Sequence, residues 1–499
     1  MPRRVGVRSV EPVAAAPVDV PAHLPHTLGA LRACGHVQRG VKGEIRANLL
    51  DALRTRRDPW PGIVGFSDTV LPQLERALIA GHDVVLLGER GQGKTRLLRT
   101  LTGLLDEWTP VIEGAELGEH PYQPITPASR RRAAELGDEL PITWRHRSER
   151  YTEKLATPDT SVGDLVGDVD PVKVAEGRSL GDPETIHFGL VPRAHRGIVA
   201  INELPDLAER IQVALLNVME ERDIQVRGYT LRLPLDVLLV ASANPEDYTN
   251  RGRIITPLKD RFGAEIRTHY PREIGAEVAL VIQEAGLDGI GAEVGKPLIE
   301  VLARFTRHLR SSAAVDQRSG VSARFGVAAA QTVAGAAVRR AALTGEEQAV
   351  ARPVDLEAVP TVLRGKLEFE AGFGGEDIAG ERDEQAEVLV HLLRRAVADT
   401  ARARLAGLDL APLAAAVTGG HRVVTGERVP ATEVLAALPE LPVLHDVATR
   451  FAADPAGPPG PIAAAVELAL ESLYLTRKLG KDTEDGQTVY GGRAERGQG

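Results

Sequence analysis

The chain has 499 residues, enough for about three domains, and its 60 basic and 69 acidic side chains give a net charge of −9. No global positive field therefore directs it to nucleic acid or to an anionic membrane, and we expect neither as a partner. The single cysteine, Cys34, excludes an intrachain disulfide framework and a zinc site built from several thiolates. No apolar run of about 18 residues and no convincing signal peptide is present, so we expect a cytoplasmic protein.

Residues 1–58 are predicted to form a flexible arm followed by one or two amphipathic helices. Up to about Pro25, proline and alanine show no period that could bury one face. From Leu28 to Leu53, apolar residues recur at helical spacing. Pro61 and Gly62 then mark the entry to the next predicted domain, residues 59–271.

A phosphate-binding loop is predicted where an apolar strand, Val84 to Leu87, passes into leucines at helical spacing. The loop and the first residues of its helix are Gly88, Glu89, Arg90, Gly91, Gln92, Gly93, Lys94, Thr95 and Arg96. The glycines allow backbone N–H groups to turn toward a polyphosphate, and the helix directs its positive dipole end to the same anion. Lys94 is predicted to reach the β- and γ-phosphates, and Thr95 to offer its hydroxyl to Mg²⁺.

The segment from about Trp108 to Leu155 is polar and punctuated by proline, and we interpret it as an insertion before the next recognisable strand. It contains two basic clusters, 130–132 and 145–147. Only Trp144 and Tyr151 lie nearby for base stacking, so a solvated surface is favoured over a nucleic-acid patch.

A second apolar strand, 197–202, ends in an amide and a carboxylate, Asn202 and Glu203. A nucleotide hydrolase needs a group near Mg²⁺ and a base for the attacking water at such a strand end, and Glu203 is the candidate base. Asn202 stands where aspartate is usual; its carbonyl can hold an Mg²⁺-bound water but adds no negative charge. We therefore expect Asn202→Asp to tighten Mg²⁺ binding, and nucleotide sensing without turnover stays an alternative.

Alternation around a glycine predicts a hairpin at 224–233, which is either a lever or pore loop or an ordinary surface hairpin. A third strand, 237–243, ends at Asn244, whose amide can position water and report the γ-phosphate. Arg261 follows a short helix and is a candidate to act in trans on a neighbouring subunit's site; the alternative is a local salt bridge to Asp260 or a core aspartate.

From about Pro271 the strands are expected to stop. Residues 272–371 are predicted to form a helical lid, with Arg324 near the start of an alanine-rich helix as a second sensing arginine. Residues 372–499 are predicted to be a helical extension. Its charged, glycine-rich end from Lys481 is expected to be disordered.

The motif set Lys94, Glu203, Asn244, Arg261 and Arg324, in this order, resembles that of the AAA+ ring ATPases. The strings at 189–197, 216–221, 244–246 and 258–263 resemble the magnesium chelatase ATPase (I-type) subunits and the MoxR-type ATPases. The resemblance implies an α/β fold: an AAA+ P-loop core with a parallel sheet and flanking helices, an α-helical lid and, in this chain, a helical C-terminal extension.

Roles for the site residues also follow from the resemblance. It implies that Lys94 and Thr95 bind ATP and Mg²⁺, that Glu203 polarises water and that Asn244 is sensor 1. Arg261 would be the finger that acts across the subunit interface, and Arg324 would be sensor 2. The family further implies a hexameric ring and, for the chelatases, a partner protein with an integrin-like metal-binding domain, since this chain lacks an Asp-x-Ser-x-Ser string.

The leading hypothesis is an ATP-driven motor that remodels a partner protein or complex, and a tetrapyrrole metal chelatase is a narrower version of it. An AAA+ transcriptional activator is one alternative, although the sequence has no Gly-Ala-Phe-Thr-Gly-Ala loop. A nucleic-acid translocase is the other, and it would use Arg227, Arg232, Arg251 and Arg253. DNA stimulation of ATP hydrolysis would distinguish the translocase from the remodeller.

Overall fold

A computed structural model of the chain describes residues 19–175, 185–221, 223–226, 229–244, 253–316, 320–370, 383–484 and 487–492. The first 18 residues of the predicted flexible arm, the 245–246 part of one motif string, Arg227, Arg251 and the final seven residues lie outside the described residues. Contacts divide the chain into two compact units. Unit 1 consists of Met1–Ile63, Asp68–Gly88 and Gly93–Thr268, and unit 2 of Val64–Ser67, Glu89–Gln92 and His269–Gly499.

Unit 1 contains a central sheet, smaller strand pairs and short helices. Its α-helices are Leu28–Ala33, Val41–Thr55, Val70–Ala80, Lys94–Thr100, Pro127–Leu136, Val162–Leu165, Pro171–Ala175, Leu190–Arg193, Glu209–Glu221 and Thr256–Arg261. Its strands are Val84–Leu87, Trp108–Ile112, Ile142–His146, Tyr151–Leu155, Gly167–Val169, Ile186–Phe188, Gly197–Asn202, Asp223–Val226, Tyr229–Arg232, Val237–Ala243 and Ala264–Arg267. Short 3-10 helices lie at Leu101–Leu104, Gly137–Glu139, Arg147–Arg150 and Leu204–Asp206.

The central sheet of unit 1 has five strands, all parallel. Their spatial order is Ala264–Arg267, Val84–Leu87, Val237–Ala243, Gly197–Asn202 and Tyr151–Leu155. The inner strands are continuous apolar runs, as expected for a sheet that helices cover on both faces. The predicted α/β fold with a parallel sheet and flanking helices is confirmed. Because the strands are parallel, the residues that follow their carboxyl ends meet at one edge, where α/β proteins bind ligands.

The interpretation of 108–155 as an insertion without a core strand was wrong. Trp108–Ile112 and Ile142–His146 form an antiparallel pair, and Tyr151–Leu155 is an edge strand of the central sheet, paired with Gly197–Asn202. This edge strand contains Glu153 and Lys154 and is only partly buried, so it lacks the apolar run by which inner strands are recognised.

The predicted hairpin is confirmed as an antiparallel pair, Asp223–Val226 with Tyr229–Arg232. Among the described residues, no helix has the length and apolar character needed to span a bilayer.

Unit 2 is mainly helical. Its α-helices are Ile274–Glu284, Lys296–Arg310, Ala323–Thr344, Ala358–Leu363, Glu384–Arg404, Ala411–Thr418, Ala431–Ala436, Pro442–Arg450 and Pro459–Leu475, and its 3-10 helices are Leu287–Gly289, Pro353–Glu357 and Arg364–Lys366. Its strands are Ala292–Glu293, Ala349–Val350, Val423–Thr425, Gly480–Glu484 and Gln487–Gly491. One hydrophobic cluster includes Phe305 and Ala330 as well as Leu393 and Leu470. The segments predicted as lid and extension therefore contribute to the same core.

The expectation that strands stop near Pro271 was wrong. The expectation that the chain is disordered from Lys481 was also wrong for the segments 481–484 and 487–491. Val423–Thr425, Gln487–Gly491 and Gly480–Glu484 form an antiparallel sheet in that order. Tyr490 is 2% exposed, and its hydroxyl donates to Glu471. The apolar signal of the tail is short, and charged residues and glycines surround it.

A buried carboxylate in unit 2 makes the stability of that unit depend on pH. Glu467 is fully buried, with Oε1 3.4 Å from Nε of Arg352. Burial raises the pKa of Glu467 to about 7, although the charge of Arg352 opposes the shift. The folded state therefore retains a proton, between about pH 4.5 and 7, that the unfolded state has released, and the free energy of unfolding falls as pH rises through this window.

We expect Glu467→Gln to reduce this pH dependence, because glutamine cannot titrate. Urea unfolding at about pH 5 and about pH 7.5 would measure it for both proteins. Equal loss of stability between the two pH values in wild type and variant would show that another group is responsible.

Candidate nucleotide-binding site

The predicted phosphate loop has the backbone that its glycines allow. Gly91 and Gly93 have φ values of +73° and +77°, in the left-handed region that side chains rarely adopt. The helix Lys94–Thr100 begins directly after Gly93. Strand, glycine loop and helix therefore follow one another in the order that anion binding at a helix N-terminus requires.

Lys94 lies between the loop and the tip of the strand Val237–Ala243. It is 6% exposed, and its ammonium donates to the main-chain oxygen of Gly88 and to Oδ1 of Asn244, the latter at 2.7 Å. A buried ammonium requires such partners, and it is held where a phosphate on the loop would meet it.

Asn244 connects Lys94 with the candidate base. Its Nδ2 donates to Oε2 of Glu203 at 2.8 Å. Glu203 has φ +56° and ψ +46°, and its main-chain N–H donates to Oγ of Ser242 at 3.3 Å. A non-glycine residue in the left-handed region carries strain of about 1–2 kcal/mol, which is typical of functional positions. The structure thus joins Lys94, Asn244 and Glu203 in one hydrogen-bonded group.

Asn202 lies between the helix of the loop and the edge strand. Its Oδ1 is 3.4 Å from the hydroxyl of Thr95 and accepts from Oγ of Ser242 at 3.1 Å. Its Nδ2 donates to Oε1 of Glu153 at 2.7 Å. The Glu153 carboxylate also accepts from Nε and Nη2 of Arg99 at 2.8 and 3.0 Å, and this contact raises the pKa of Arg99 above its usual range.

Glu153 was missed from the sequence, because the segment that contains it was interpreted as a surface insertion. The signal available was its position in the middle of a short β-like run, two residues after the tyrosine at its start and two before its end. Glu153 places a negative charge directly beside the residue that itself lacks one, Asn202.

Thr95 and Asn202 supply oxygens of the kind that Mg²⁺ prefers, and they fit an ion that also takes phosphate oxygens as ligands. In the described part of the chain, no cluster of three or more His, Cys, Asp or Glu side chains is arranged to hold a metal ion.

Arg261 ends the helix Thr256–Arg261 and forms an ion pair with Glu220. Its side chain is 46% exposed. The predicted alternative, a salt bridge to Asp260 or a core aspartate, named the wrong carboxylate.

The remaining predicted site residues belong mostly to unit 2. Glu89, Arg90, Gly91 and Gln92 cluster with it, and the main-chain oxygen of Arg90 accepts from the hydroxyl of Tyr270 at 2.9 Å. Arg324 is exposed near the start of the helix Ala323–Thr344, and its N–H donates to Oγ of Ser322 at 3.1 Å. Arg96, in unit 1, is exposed.

Comparisons with known proteins agree with this geometry. The Sigma-54 interaction domain family matches residues 177–261. Magnesium-chelatase subunit ChlI of Nostoc sp. is 28% identical over 236 residues, which are 46% of this chain and 59% of the relative. Magnesium-chelatase subunit ChlI-2 of Arabidopsis thaliana is 26% identical over 354 residues, 66% of this chain and 81% of the relative. The chain therefore spans less than two thirds of the Nostoc relative's length.

The parallel sheet, the phosphate loop and these matches identify the fold as an AAA+ P-loop core. Within that class it is related to the ChlI subunits of magnesium chelatase, as the motif strings predict.

Solved structures resemble the chain at low similarity. The complex between subunits BchI and BchD of magnesium chelatase gives a TM-score of 0.34 at 20% identity, covering 63% of this chain and 96% of that chain. NtrX from Brucella abortus in complex with ATP gives 0.37 at 16% identity, covering 73% and 70%.

Proposed function

We propose that this protein is an ATP hydrolase that works as a ring and couples hydrolysis to remodelling of a partner protein or complex. The observation that carries the proposal is the hydrogen-bonded group in which Asn244 joins the loop lysine, Lys94, to Glu203. A lysine on a phosphate loop and a carboxylate at the tip of a nearby parallel strand are the two groups that hydrolysis of a terminal phosphate needs most.

Each residue of the group has a distinct task in this proposal. Lys94 holds the β- and γ-phosphates, and Thr95 and Asn202 supply oxygens to Mg²⁺, which neutralises charge on the phosphates. Glu203 takes the proton of the attacking water through its carboxylate. Asn244 donates to that carboxylate while its Oδ1 accepts from Lys94, so a change of partner at Lys94 also changes the hydrogen bonding of Glu203.

The structure changes the expectation for Asn202→Asp. An aspartate here would place a second carboxylate at the position of Nδ2, which is 2.7 Å from Oε1 of Glu153. Like charges at that distance repel. We expect the single variant to gain little, and the double variant Asn202→Asp/Glu153→Gln to bind Mg²⁺ about tenfold or more tightly than wild type.

Titration of ATP hydrolysis and of nucleotide-analogue binding with Mg²⁺ would measure this effect. Glu153→Gln alone is the matched control, since it removes the charge of Glu153 without adding a carboxylate at position 202. If the double variant and this control show the same Mg²⁺ dependence, position 202 does not contact the ion.

The ring part of the proposal depends on Arg261 acting in the site of a neighbouring subunit. A subunit with Arg261→Ala retains an intact phosphate loop and Glu203, whereas a subunit with Lys94→Ala retains Arg261. We expect each variant alone to be nearly inactive and a mixture to regain measurable ATP hydrolysis, because an intact site then meets an intact arginine.

Glu220→Gln is the matched control for this experiment, because it breaks the same ion pair and leaves Arg261 in place. Wild-type activity of Arg261→Ala alone would remove the role in trans. A mixture no more active than its components would also contradict it.

The identity of the client distinguishes this proposal from the two alternatives, a nucleic-acid translocase and a transcriptional activator. A translocase should hydrolyse ATP faster with DNA, and its binding should weaken steeply with salt. The activator alternative is not favoured, because the Sigma-54 interaction domain match is confined to residues 177–261 and the sequence lacks the Gly-Ala-Phe-Thr-Gly-Ala loop. We propose instead a protein client, including a partner with an integrin-like metal-binding domain, which affinity capture with Glu203→Gln under ATP should retain.

A further inference from the structure

A cavity in unit 1 lies at the amino ends of two strands of the central sheet, opposite the strand ends that carry the predicted nucleotide site. Its volume is about 440 Å³, within the range of about 300–1,000 Å³ typical of small-molecule pockets. Arg196 and Asp236 line it, and they directly precede the paired strands Gly197–Asn202 and Val237–Ala243. Six strand residues span roughly 20 Å, so the cavity is separate from the predicted nucleotide site at Asn202.

The guanidinium of Arg196 is buried there with unused donors. Arg196 is 5% exposed, and its Nη2 donates to Oγ1 of Thr109 at 3.3 Å. Its Nε and Nη1 have no hydrogen-bond partner in the described part of the chain. Burial, followed by the charge of Arg150, lowers the pKa of Arg196 to about 10, so it is still a cation at neutral pH. A buried cation with two unused donors is costly unless something else accepts from it.

The surrounding backbone fixes Arg196 in this position. Its φ is +61°, in the left-handed region. Its N–H donates to the main-chain oxygen of Asp236 at 2.6 Å, and its own oxygen accepts from Nε of Arg150 at 2.8 Å. Arg150 is in turn paired with Glu44 through two hydrogen bonds of 2.7 and 2.8 Å. The left-handed backbone of Arg196 is thus held by Arg150, which the buried ion pair with Glu44 fixes in place. The position of the Arg196 backbone is therefore set by the fold.

Neutral donors lie beside the guanidinium. The Nδ1 of His195 accepts from the N–H of Asp236 at 3.1 Å, which assigns its proton to Nε2. Burial lowers the pKa of His195 to about 3 and that of His120 to about 2, so both rings are neutral at physiological pH. Gln123, on the exposed rim, accepts from Gln38 at 3.0 Å through Oε1, which leaves its amide N–H groups as donors.

The carboxylate of Asp236 does not provide the missing acceptor. Its Oδ2 accepts from the N–H of Val41 at 2.8 Å, at the start of the helix Val41–Thr55. The cavity is therefore lined by one buried cation, Arg196, by the carboxylate of Asp236, which is hydrogen-bonded to the backbone, and by the N–H donors of His195 and Gln123.

We propose that this cavity binds the oxyanion group, phosphate or carboxylate, of a small metabolite. Such a group accepts from the guanidinium of Arg196, whose fork geometry suits planar or tetrahedral oxyanions. His195 and Gln123 add neutral donors that orient the ligand. The site is independent of the ATPase proposal, since it shares no residue with the phosphate loop.

The test uses full-length protein that carries Lys94→Ala, so that the phosphate loop does not contribute to anion binding. Isothermal titration with inorganic phosphate and, separately, with succinate at constant ionic strength distinguishes the two sources of the oxyanion. We expect saturable binding of at least one of them. Adding Arg196→Gln should weaken it at least about tenfold, the loss typical for a hydrogen bond to a charged group.

A rim variant keeps the test decisive if Arg196→Gln does not fold. Gln123→Glu is at an exposed position and replaces donors with a negative charge, so it should also weaken binding. Gln73→Glu, an exposed glutamine on the helix Val70–Ala80, makes the same charge change elsewhere and should leave binding unchanged. The proposal is overturned if neither anion binds saturably, or if Gln123→Glu binds as tightly as Gln73→Glu.

Discussion

Lys94→Ala is expected to weaken nucleotide binding by at least about 100-fold while the protein stays folded. Lys94 is a buried ammonium placed on the phosphate loop, and alanine removes its charge-assisted hydrogen bonds to phosphate. Titration of a fluorescent ATP analogue, with circular dichroism to check folding, would measure the change.

Lys42→Ala is a suitable control for the loss of a lysine. The Nζ of Lys42 is 2.8 Å from Oδ2 of Asp83, which lies at the amino end of the strand Val84–Leu87, away from the loop. Folded Lys94→Ala protein that binds the analogue as wild type does would refute the phosphate-loop assignment.

Glu203→Gln is expected to bind ATP with wild-type affinity and to hydrolyse it about 10²–10⁴-fold more slowly. Glutamine retains an oxygen that can accept from Nδ2 of Asn244, so the connection to the loop is preserved. It cannot take a proton from water. Steady-state phosphate release, measured with equilibrium binding of the same nucleotide, separates the two effects.

The matched control is Glu209→Gln, an exposed glutamate at the start of the helix Glu209–Glu221. It should hydrolyse ATP at the wild-type rate. Wild-type hydrolysis by Glu203→Gln would mean that another group is the base, and loss of binding would mean that Glu203 has a structural role.

The grouping of site residues at one end of the sheet could be predicted, because it follows from the order of the strands in the chain and from their parallel pairing. Lys94 follows one strand, Glu203 a second and Asn244 a third, and each strand is a recognisable apolar run. Since the carboxyl ends of parallel strands share an edge, the three side chains were expected together without any distance being known.

The parts that could not be predicted lack such a signal. Glu153 lies on an edge strand with one solvent-exposed side, and its contact with Asn202 depends on the register between two strands whose paired residues, such as Tyr151 and Ile198, are 47 positions apart in the sequence. The C-terminal sheet closes around Tyr490, whose burial depends on the helix that carries Glu471 and could not be read from a charged tail. The Glu153–Asn202 contact and the burial of Tyr490 both depend on tertiary contacts, which local sequence patterns do not show.

The strand Gly197–Asn202 has a consequence for communication within unit 1. Arg196 precedes its first residue and Glu203 follows its last, and hydrogen bonds to Tyr151–Leu155 and Val237–Ala243 hold it on both sides. A strand that is hydrogen-bonded along both sides resists sliding of one end alone. We expect any displacement along its axis to shift Arg196 and Glu203 together.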